Sequence, residues 1–261
     1  MNICLFSENE ICSPLSLKDE RAKHIIKVLH KNVGDTFKAG IIIGKEGNAI
    51  ITNIDSEKID FKFTPEKDGL KPNPLVMIIG FPRPIQLKRL LRDVAALGVK
   101  EVHLCGTELG EKSYMESNLS THDAAYKLLI DGTVQAGTTS VPKLFIHKTL
   151  NDCLAYISPK TKFRSLKINL FALDNINPKC SLKEALCKKN ETNENENSYL
   201  GGHERLFVAA IGSERGWTDN ERKLLEDAGF TRCSMGKRIM RTETAATVSA
   251  SIILAEIGSL C

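Results

Sequence analysis

The chain has 261 residues, of which 42% are hydrophobic and 26% charged, and its formal net charge is +4. This length permits one large domain or two ordinary ones, and either would bury a substantial core. The small basic excess is compatible with nucleic-acid binding but does not require it. The sequence has no apolar run near the ~20 residues of a transmembrane helix, and its start lacks the features of a signal peptide, so we expect no membrane association.

Eight cysteines are spread along the chain, without a CxxC pair and without a Cys/His group at zinc-ligand spacing. Several stand inside apolar runs, where a free thiol behaves as a small hydrophobic side chain. The sequence therefore predicts a reduced, cytoplasmic protein that holds no structural metal.

Residues 1–70 predict a small β-barrel domain. Lys18–His30 has apolar residues at helical spacing. Short β-rich runs separated by glycine-containing or polar turns follow at Thr36–Ala39, Ile41–Ile43, Ala49–Ile54 and Ile59–Phe63. Several short strands with one helix are typical of a small barrel. Because Lys67–Pro74 carries glycine and proline, we place the domain boundary there.

Residues 75–261 predict a second domain, in which strand-like and helical segments alternate. The predicted strands are Leu75–Ile79, Glu101–Cys105, Lys143–His147, Lys167–Leu173, Leu206–Ile211 and Thr231–Met235. The predicted helices are Ile85–Leu97, Ser120–Gln135, Thr149–Ile157, Ser181–Cys187, Thr218–Ala228 and Glu243–Ile257. Apolar strands that alternate with helices favour an α/β fold whose parallel sheet is covered on both faces.

Three of these helix starts have the spacing of a capping box: Ser120 with Asp123, Ser181 with Glu184, and Thr218 with Glu221. Lys188–Arg205 alternates Asn and Glu with few apolar residues, and we expect a disordered surface loop there.

The last predicted helix, Glu243–Ile257, is apolar on nearly every side. Such a helix needs cover on more than one side. The cover can come from within the domain or from a second copy of the chain, and the residues alone leave both possibilities open.

The stretch Ile211–Ala246 holds the residues that predict a ligand site. Gly212–Gly216 and Met235–Arg238 are small-residue loops that each follow a predicted strand, and ligands bind at the carboxyl ends of strands in open α/β sheets. Arg241 and Glu243 come next, a fixed cation and a carboxylate that can move a proton. Ordinary turn glycines and a charged helix cap would produce the same pattern, so both interpretations stay open.

Three segments carry a resemblance to a known family: HIIKVLHKNVGD at His24–Asp35, IGSERGW at Ile211–Trp217 and MGKRIMRTETAA at Met235–Ala246. They resemble the bacterial methyltransferases of the SPOUT superfamily that modify N3 of a uridine in 16S ribosomal RNA. The resemblance implies S-adenosyl-L-methionine (AdoMet) as methyl donor, S-adenosyl-L-homocysteine as product and the small ribosomal subunit as partner. It also implies a PUA-like N-terminal barrel, a homodimer with the last helix near its interface, and a C-terminal trefoil knot, which most folds lack.

The chemistry of N3 methylation, which removes a proton and builds negative charge on the uracil ring, predicts roles for particular residues. Arg241 would stabilise charge on the uracil oxygens, and Glu243 would accept the N3 proton or orient a water that does. A first-turn acid favoured by the helix dipole is the alternative for Glu243. AdoMet would be held by Leu173, Ile211, Gly212, Ser213, Glu214, Gly216, Met235, Gly236, Ile239, Met240, Thr242 and Ala245, although core packing would account equally for the apolar members.

A local basic cluster is predicted to contact RNA phosphates, with a solvated helix face as the alternative. Its members are Arg21, Lys23, His24, Lys27, His30 and Lys31.

Several positions depart from the family pattern. Ser213 and Arg215 stand where the family has Pro and Gly, His30 where it has Arg, Ala96 where it has Glu and Thr138 where it has Arg. Two other functions therefore stay open. A SPOUT ribose 2′-O-methyltransferase would share the cofactor, and a non-catalytic RNA-binding protein would share the fold.

Overall fold

A computed structural model describes residues 2–157, 167–187 and 205–260. The chain divides into two compact units, Met1–Pro72 with Leu129–Val141, and Asn73–Leu128 with Pro142–Cys261. The sequence placed a boundary close to Pro72 but gave no sign that Leu129–Val141 belongs with the first unit. Among the helices in the described ranges, none combines the length and hydropathy that a membrane span needs.

The first unit is built on a five-stranded sheet with the order β1-β3-β4-β5-β2. Its strands are β1 (Cys4–Phe6), β2 (Leu15–Ser16), β3 (Thr36–Ile41), β4 (Lys45–Ile54) and β5 (Lys58–Asp68). β1 runs parallel to β3, and the other neighbours are antiparallel. The expected separate strand Ile41–Ile43 is wrong, because Ile41 ends β3 and the chain turns at Ile43 with φ +59°.

The predicted helix Lys18–His30 is shorter and less regular than expected. α1 (Glu20–Lys23) is capped at its start by Asp19, whose carboxylate accepts from the Arg21 backbone N–H at 2.8 Å, and it passes into a π-helical turn, His24–Val28. His30 then takes a left-handed backbone with φ +52°, which ends the helical path.

The segment Leu129–Val141 is bound to the turn after β3. The Thr139 hydroxyl donates to the Gly44 carbonyl at 2.8 Å, and the Ile43 N–H donates to the Thr139 carbonyl at 2.8 Å. A Cβ on Gly40 would lie 2.5 Å from the Thr139 methyl group. Glycine at position 40 therefore makes room for this packing.

The second unit contains a seven-stranded sheet with the order β10-β12-β9-β11-β6-β7-β8, in which every neighbouring pair is parallel. The predicted parallel α/β sheet is thus confirmed. Its strands are β6 (Asn73–Gly80), β7 (Val99–Cys105), β8 (Lys143–His147), β9 (Lys167–Leu173), β10 (Cys180–Ser181), β11 (Arg205–Ile211) and β12 (Thr231–Ser234).

Helices cover both faces of this sheet, as predicted. Val76 and Ile78 of β6 pack in one core with Leu150 and Leu225, which belong to the helices on one face. Alternate residues of β6 point the other way. The two helices on that face contact each other, and the last helix of the chain also contacts β6. The helices are α2 (Pro84–Ala96), α3 (Lys112–Met115), α4 (His122–Ala136), α5 (Leu150–Ile157), α6 (182–187), α7 (Asp219–Asp227) and α8 (Thr242–Glu256), with α5 and α7 on the first face and α2 and α8 on the second.

Two of the three predicted capping boxes are present. Thr218 caps α7 together with Glu221, and Ser181 exchanges hydrogen bonds with Glu184 at 2.9 and 3.2 Å. The box at Ser120 is wrong, because α4 begins only at His122 and the Ser120 hydroxyl donates to the Tyr114 carbonyl instead. The expected loop Lys188–Arg205 lies outside the described residues, apart from its last residue, which begins β11.

Candidate active site

Three neighbouring strands end together at one edge of the parallel sheet. Leu173 of β9 is the register partner of both Ile211 in β11 and Cys233 in β12. The loops that follow enclose a cavity of about 240 Å³, here called the loop cavity. Every predicted cofactor residue except Gly236 lines it: Leu173, Ile211, Gly212, Ser213, Glu214, Gly216, Met235, Ile239, Met240, Thr242 and Ala245.

Glycines allow the first loop to pack tightly on itself and on β6. The Gly216 N–H donates to the Ser213 carbonyl at 2.9 Å, and Gly216 has φ +73°. A Cβ on Gly212 would lie 2.9 Å from the carbonyl carbon of Gly216, and one on Gly80 would lie 2.5 Å from the Ser213 nitrogen. A side chain at Gly80 or Gly212 would therefore displace the loop. Gly80 was not predicted, since nothing in the sequence near it marks a contact with a loop 130 residues later.

The second loop brings apolar side chains to the same cavity. Gly236 stands beside Met235 with φ +107°, a conformation that favours glycine, although Gly236 itself is not in the wall. Ile239 lines the cavity with 87% of its surface exposed. The Thr242 hydroxyl donates to the Gly212 carbonyl at 3.5 Å and so connects the two loops.

The wall also includes a buried ion pair that the sequence did not predict. Asp174, directly after β9, accepts from the Arg222 Nε at 2.7 Å, and its carboxylate lies 3.6 Å from an Arg232 nitrogen. The hydrogen bond with Asp174 raises the pKa of Arg222, so this side chain stays charged. Trp217 donates its indole N–H to the Leu173 carbonyl at 3.1 Å. The position of Asp174 at a strand end was a usable signal, whereas its pairing with Arg222 was not visible.

Both predicted catalytic residues lie in an adjoining pocket of about 320 Å³, here called the arginine pocket. Arg83, Gln86, Glu214, Arg241 and Glu243 line it. Because Glu214 lines this pocket and the loop cavity, the two share a wall. Arg83 precedes α2 and Gln86 lies within it, far from the predicted site in sequence, and neither was predicted.

The arginine pocket combines cationic groups with unsatisfied acceptors. Buried Oε2 of Glu243 and buried Oε1 of Gln86 have no hydrogen-bond partner among the described residues. Arg241 is exposed at the start of α8, and within residues 2–157, 167–187 and 205–260 it makes no ion pair, so it is not tied to Glu243. A buried acceptor without a partner costs about 1–3 kcal/mol. Such atoms are expected where a ligand completes the hydrogen bonding.

The basic cluster of the first unit contains residues in different situations. Arg21 donates to the Leu5 carbonyl at 2.8 Å, pairs with Asp19 at 2.7 Å and Glu10 at 3.0 Å, and lies 4.7 Å from the Phe6 ring centre. The guanidinium of Arg21 is therefore already engaged by groups of the first unit.

The remaining members of the cluster differ in exposure. Lys23 pairs with Glu20 at 2.5 Å, and His24 and Lys31 are half-buried. Lys27 and His30 are exposed.

Comparison with known proteins places this architecture in a family. The sequence model of the RNA methyltransferase domain matches residues 70–254, and that of the RNA methyltransferase PUA domain matches residues 17–64. Ribosomal RNA small subunit methyltransferase E of Treponema pallidum is 39% identical over 259 residues, which cover 98% of this chain and 91% of that protein. The chain belongs to this RNA methyltransferase family.

Other members agree in sequence and fold. Ribosomal RNA small subunit methyltransferase E 1 of Borreliella burgdorferi is 32% identical and covers 98% of each chain. The crystal structure of a ribosomal RNA small subunit methyltransferase E from Neisseria gonorrhoeae bound to S-adenosyl methionine has a TM-score of 0.69 at 20% identity, covering 98% of this chain and 97% of that one. A Legionella pneumophila methyltransferase in complex with the same cofactor reaches 0.72 at 19% identity, with coverage of 98% and 97%. At these identities, the two likenesses show a shared fold.

Proposed function

We propose that the protein transfers a methyl group from AdoMet to N3 of a uridine in 16S ribosomal RNA. Relatives along nearly the whole chain are named as methyltransferases of the small-subunit RNA, and two proteins of the same fold hold S-adenosyl methionine. The single observation that carries the proposal is the wall shared by the loop cavity and the arginine pocket. A methyl donor bound in the loop cavity and a uracil base bound in the arginine pocket would therefore be neighbours at Glu214.

The loop cavity fits AdoMet by its backbone and its polar atoms. The loop of Gly212–Gly216 approaches β6 so closely that a Cβ at Gly80 would collide with it, and the buried Ser213 hydroxyl has no partner among the described residues. Exposed backbone beside glycine and an unsatisfied hydroxyl suit a polar cofactor. When bound, AdoMet supplies an electrophilic methyl group, and the protein supplies position and electrostatics. The residues proposed to hold it are Leu173, Ile211, Gly212, Ser213, Glu214, Gly216, Met235, Gly236, Ile239, Met240, Thr242 and Ala245.

The arginine pocket matches the edge of uracil. That edge presents an oxygen acceptor, the N3–H donor and a second oxygen acceptor. Arg241 and Arg83 can donate to the oxygens, and the unpartnered oxygens of Glu243 and Gln86 can accept from N3–H. This pattern of groups favours a uracil base over a ribose hydroxyl as the group that is methylated.

Each proposed catalytic residue has one task in the reaction. Glu243 accepts the N3 proton, directly or through a water. The lone pair left on N3 would form the new bond to the methyl carbon as the bond from that carbon to the sulfonium sulfur breaks, with S-adenosyl-L-homocysteine as the leaving group. Arg241 donates to an oxygen of the uracil ring, on which negative charge grows as the proton leaves. Its guanidinium stays charged at any working pH and has the planar geometry for such contacts.

The remaining elements have proposed roles in assembly. We propose that Lys23, His24, Lys27, His30 and Lys31 of the first unit bind RNA phosphates, and that the protein acts in the cytoplasm. The strand order, which sets β9 between β12 and β11, supports a trefoil knot. A homodimer is supported by the outer side of α8, where Val248, Ser251 and Ile252 are half-buried and Thr244 and Ala255 exposed.

Methyl transfer to ribosomal RNA tests the proposal directly. Labelled AdoMet is incubated with the protein and with either assembled small subunits or free 16S RNA, both from a host that lacks the protein. Mass spectrometry of the digested RNA is expected to show a single N3-methyluridine. A methyl group on a ribose oxygen would instead establish a 2′-O-methyltransferase, and absence of transfer together with absence of AdoMet binding would establish a non-catalytic RNA-binding protein.

A further inference from the structure

A second cluster of reactive side chains lies outside both pockets, between β7, β8 and α5. Glu101, His103 and Cys105 alternate along β7 and therefore share one face of the sheet. His147 at the end of β8 is the register partner of Cys105, and Cys153 lies in the first turn of α5. His103, Cys105 and Cys153 are fully buried and Glu101 is 2% exposed, so ionisable groups occupy what is otherwise an apolar core.

Two imidazole rings and a thiol lie close together in this cluster. His103 Nδ1 lies 2.9 Å from His147 Nε2, and the two rings stack at 5.2 Å between centroids. The ligand atoms of His103, His147 and Cys153 all lie within 4.8 Å of one another. On the far side of the His103 ring, Nε2 lies 3.2 Å from Oε2 of Glu101.

We propose that His103, His147 and Cys153 form a binding site for a divalent transition metal of the zinc type. Imidazole nitrogen and thiolate sulfur are the ligands that Zn²⁺ prefers in proteins. Three protein ligands leave a fourth position for water or for the neighbouring thiol of Cys105.

Glu101 supplies the supporting contact that metal-binding histidines usually have. A histidine that ligates through one ring nitrogen commonly donates its other N–H to a carboxylate, which fixes the tautomer and the ring orientation. With Nε2–H of His103 directed at Glu101, the lone pair of Nδ1 is directed at His147 and Cys153. Glu101 is thus a positioning residue and not itself a ligand.

A metal ion would require only a small adjustment of these side chains. Tetrahedral coordination with the usual bond lengths sets ligand nitrogens about 3.3 Å apart and a nitrogen and a sulfur about 3.6 Å apart. The nitrogens at 2.9 Å would separate slightly, and the thiol, which is within 4.8 Å of both, would move inward. His147 is only half-buried and its neighbour Tyr156 is 42% exposed, so the cluster has a path to solvent.

The cluster also sets the sulfur of Cys153 beside both imidazole rings. A thiolate flanked by imidazoles is the form of cysteine that binds metal ions.

Co²⁺ provides a probe, because a thiolate bound to cobalt gives a near-ultraviolet charge-transfer band. The full-length protein is treated with a chelator and titrated with Co²⁺. We expect one equivalent to produce the band, and Zn²⁺ to displace it. Zn²⁺ should also raise the thermal midpoint, since a ligand that binds only the folded state stabilises it.

Matched variants separate the cluster from other thiols. Cys153→Ser should abolish the band, and Cys12→Ser, at an exposed thiol elsewhere, should keep it. His147→Gln, at a half-buried position, should weaken Co²⁺ binding by about tenfold or more. Glu101→Gln should weaken it by about 10–100-fold while keeping the band.

Three results would overturn the proposal. They are a wild-type protein that shows no band with Co²⁺, a Cys153→Ser variant that still shows the band, and a His147→Gln variant that binds Co²⁺ with the affinity of wild type. The cluster would then be a hydrogen-bonded element of the core. Methyl transfer need not be measured, so this test is independent of the proposed function.

Discussion

The backbone N–H of Arg83 donates to a carboxylate oxygen of Glu214 at 2.9 Å, joining the start of α2 to the loop that lines both pockets. A hydrogen bond to a charged group contributes about 1.5–3 kcal/mol. Glu214→Ala should therefore weaken AdoMet binding and slow methyl transfer together, each by roughly tenfold. Glu111→Ala is the control, because Glu111 pairs with Arg215 of the same loop at an exposed site and should change neither quantity. Calorimetry and a single-turnover rate check both; a loss confined to one of them would contradict the shared wall.

Gly80→Ala tests the packing beneath the first loop. The new methyl group would lie 2.5 Å from the Ser213 nitrogen and 2.8 Å from the Thr107 methyl group, so the loop must move. AdoMet affinity should fall at least about tenfold, because backbone positions that touch the cofactor would shift. Gly229→Ala is the control, since its φ of +88° makes alanine strained at a turn outside the cavity wall. It should lower stability alone; equal affinities for the two variants would refute the role of Gly80.

Asp174→Ala should destabilise the second unit strongly. Asp174 and Arg222 are 5% and 11% exposed at their side chains, and removing one partner of a buried pair leaves an uncompensated charge. Such losses are typically about 3–5 kcal/mol. Asp219 contacts the same arginine at 2.8 Å from a fully exposed position, so Asp219→Ala should have little effect. Urea unfolding of both variants is the measurement, and similar midpoints would show that burial of the pair contributes nothing.

Arg21→Ala and Lys27→Ala should affect different properties, the first stability and the second RNA binding. Arg21→Ala loses a charged hydrogen bond to the Leu5 carbonyl and two ion pairs, and should destabilise the first unit by about 2 kcal/mol. Lys27→Ala, at an exposed position, should leave stability unchanged and reduce the salt dependence of RNA binding by about one counterion. Thermal unfolding and RNA titrations at several salt concentrations distinguish them. Loss of RNA affinity at Arg21 without loss of stability would reverse the assignment.

Periodicity and turn chemistry predicted the sheet but not the contacts between distant segments. Strands such as Lys143–His147 and Lys167–Leu173 have the predicted bounds, because continuous apolar runs flanked by turn residues specify them locally. The start of α4 was missed because the Ser120 hydroxyl hydrogen-bonds to the Tyr114 carbonyl in the preceding turn and does not cap the helix. Residue spacing alone does not distinguish these two uses of a serine side chain.

The residues of the candidate site were also predictable only in part. The walls of the loop cavity follow consecutive strand ends, so residues such as Gly212 and Met235 could be found from sequence. Gln86 and Arg222 enter through folding of separate helices, and their own neighbours carry no ligand-binding pattern. The cluster of His103 with His147 was missed for a related reason, since 44 residues separate the two histidines and no metal motif has that spacing.

Arg241→Ala separates the substrate side of the site from the cofactor side. Arg241 lines the arginine pocket and not the loop cavity, and it pairs with no acid among the described residues. Its proposed contact forms with a uracil oxygen that gains charge in the transition state, and loss of one such donor typically costs on the order of 10²–10³ in turnover. Arg241→Lys should restore little, because a point charge lacks the planar geometry of guanidinium.

The decisive measurement takes AdoMet affinity and the single-turnover rate of methyl transfer to small subunits from one preparation of Arg241→Ala. We predict a rate lower by about 100- to 1000-fold with AdoMet affinity within about threefold of wild type, since uniform binding is untouched. Sedimentation of the same preparation should match wild type. A joint loss of cofactor affinity, oligomeric state and rate would contradict the assignment of Arg241 to the transition state.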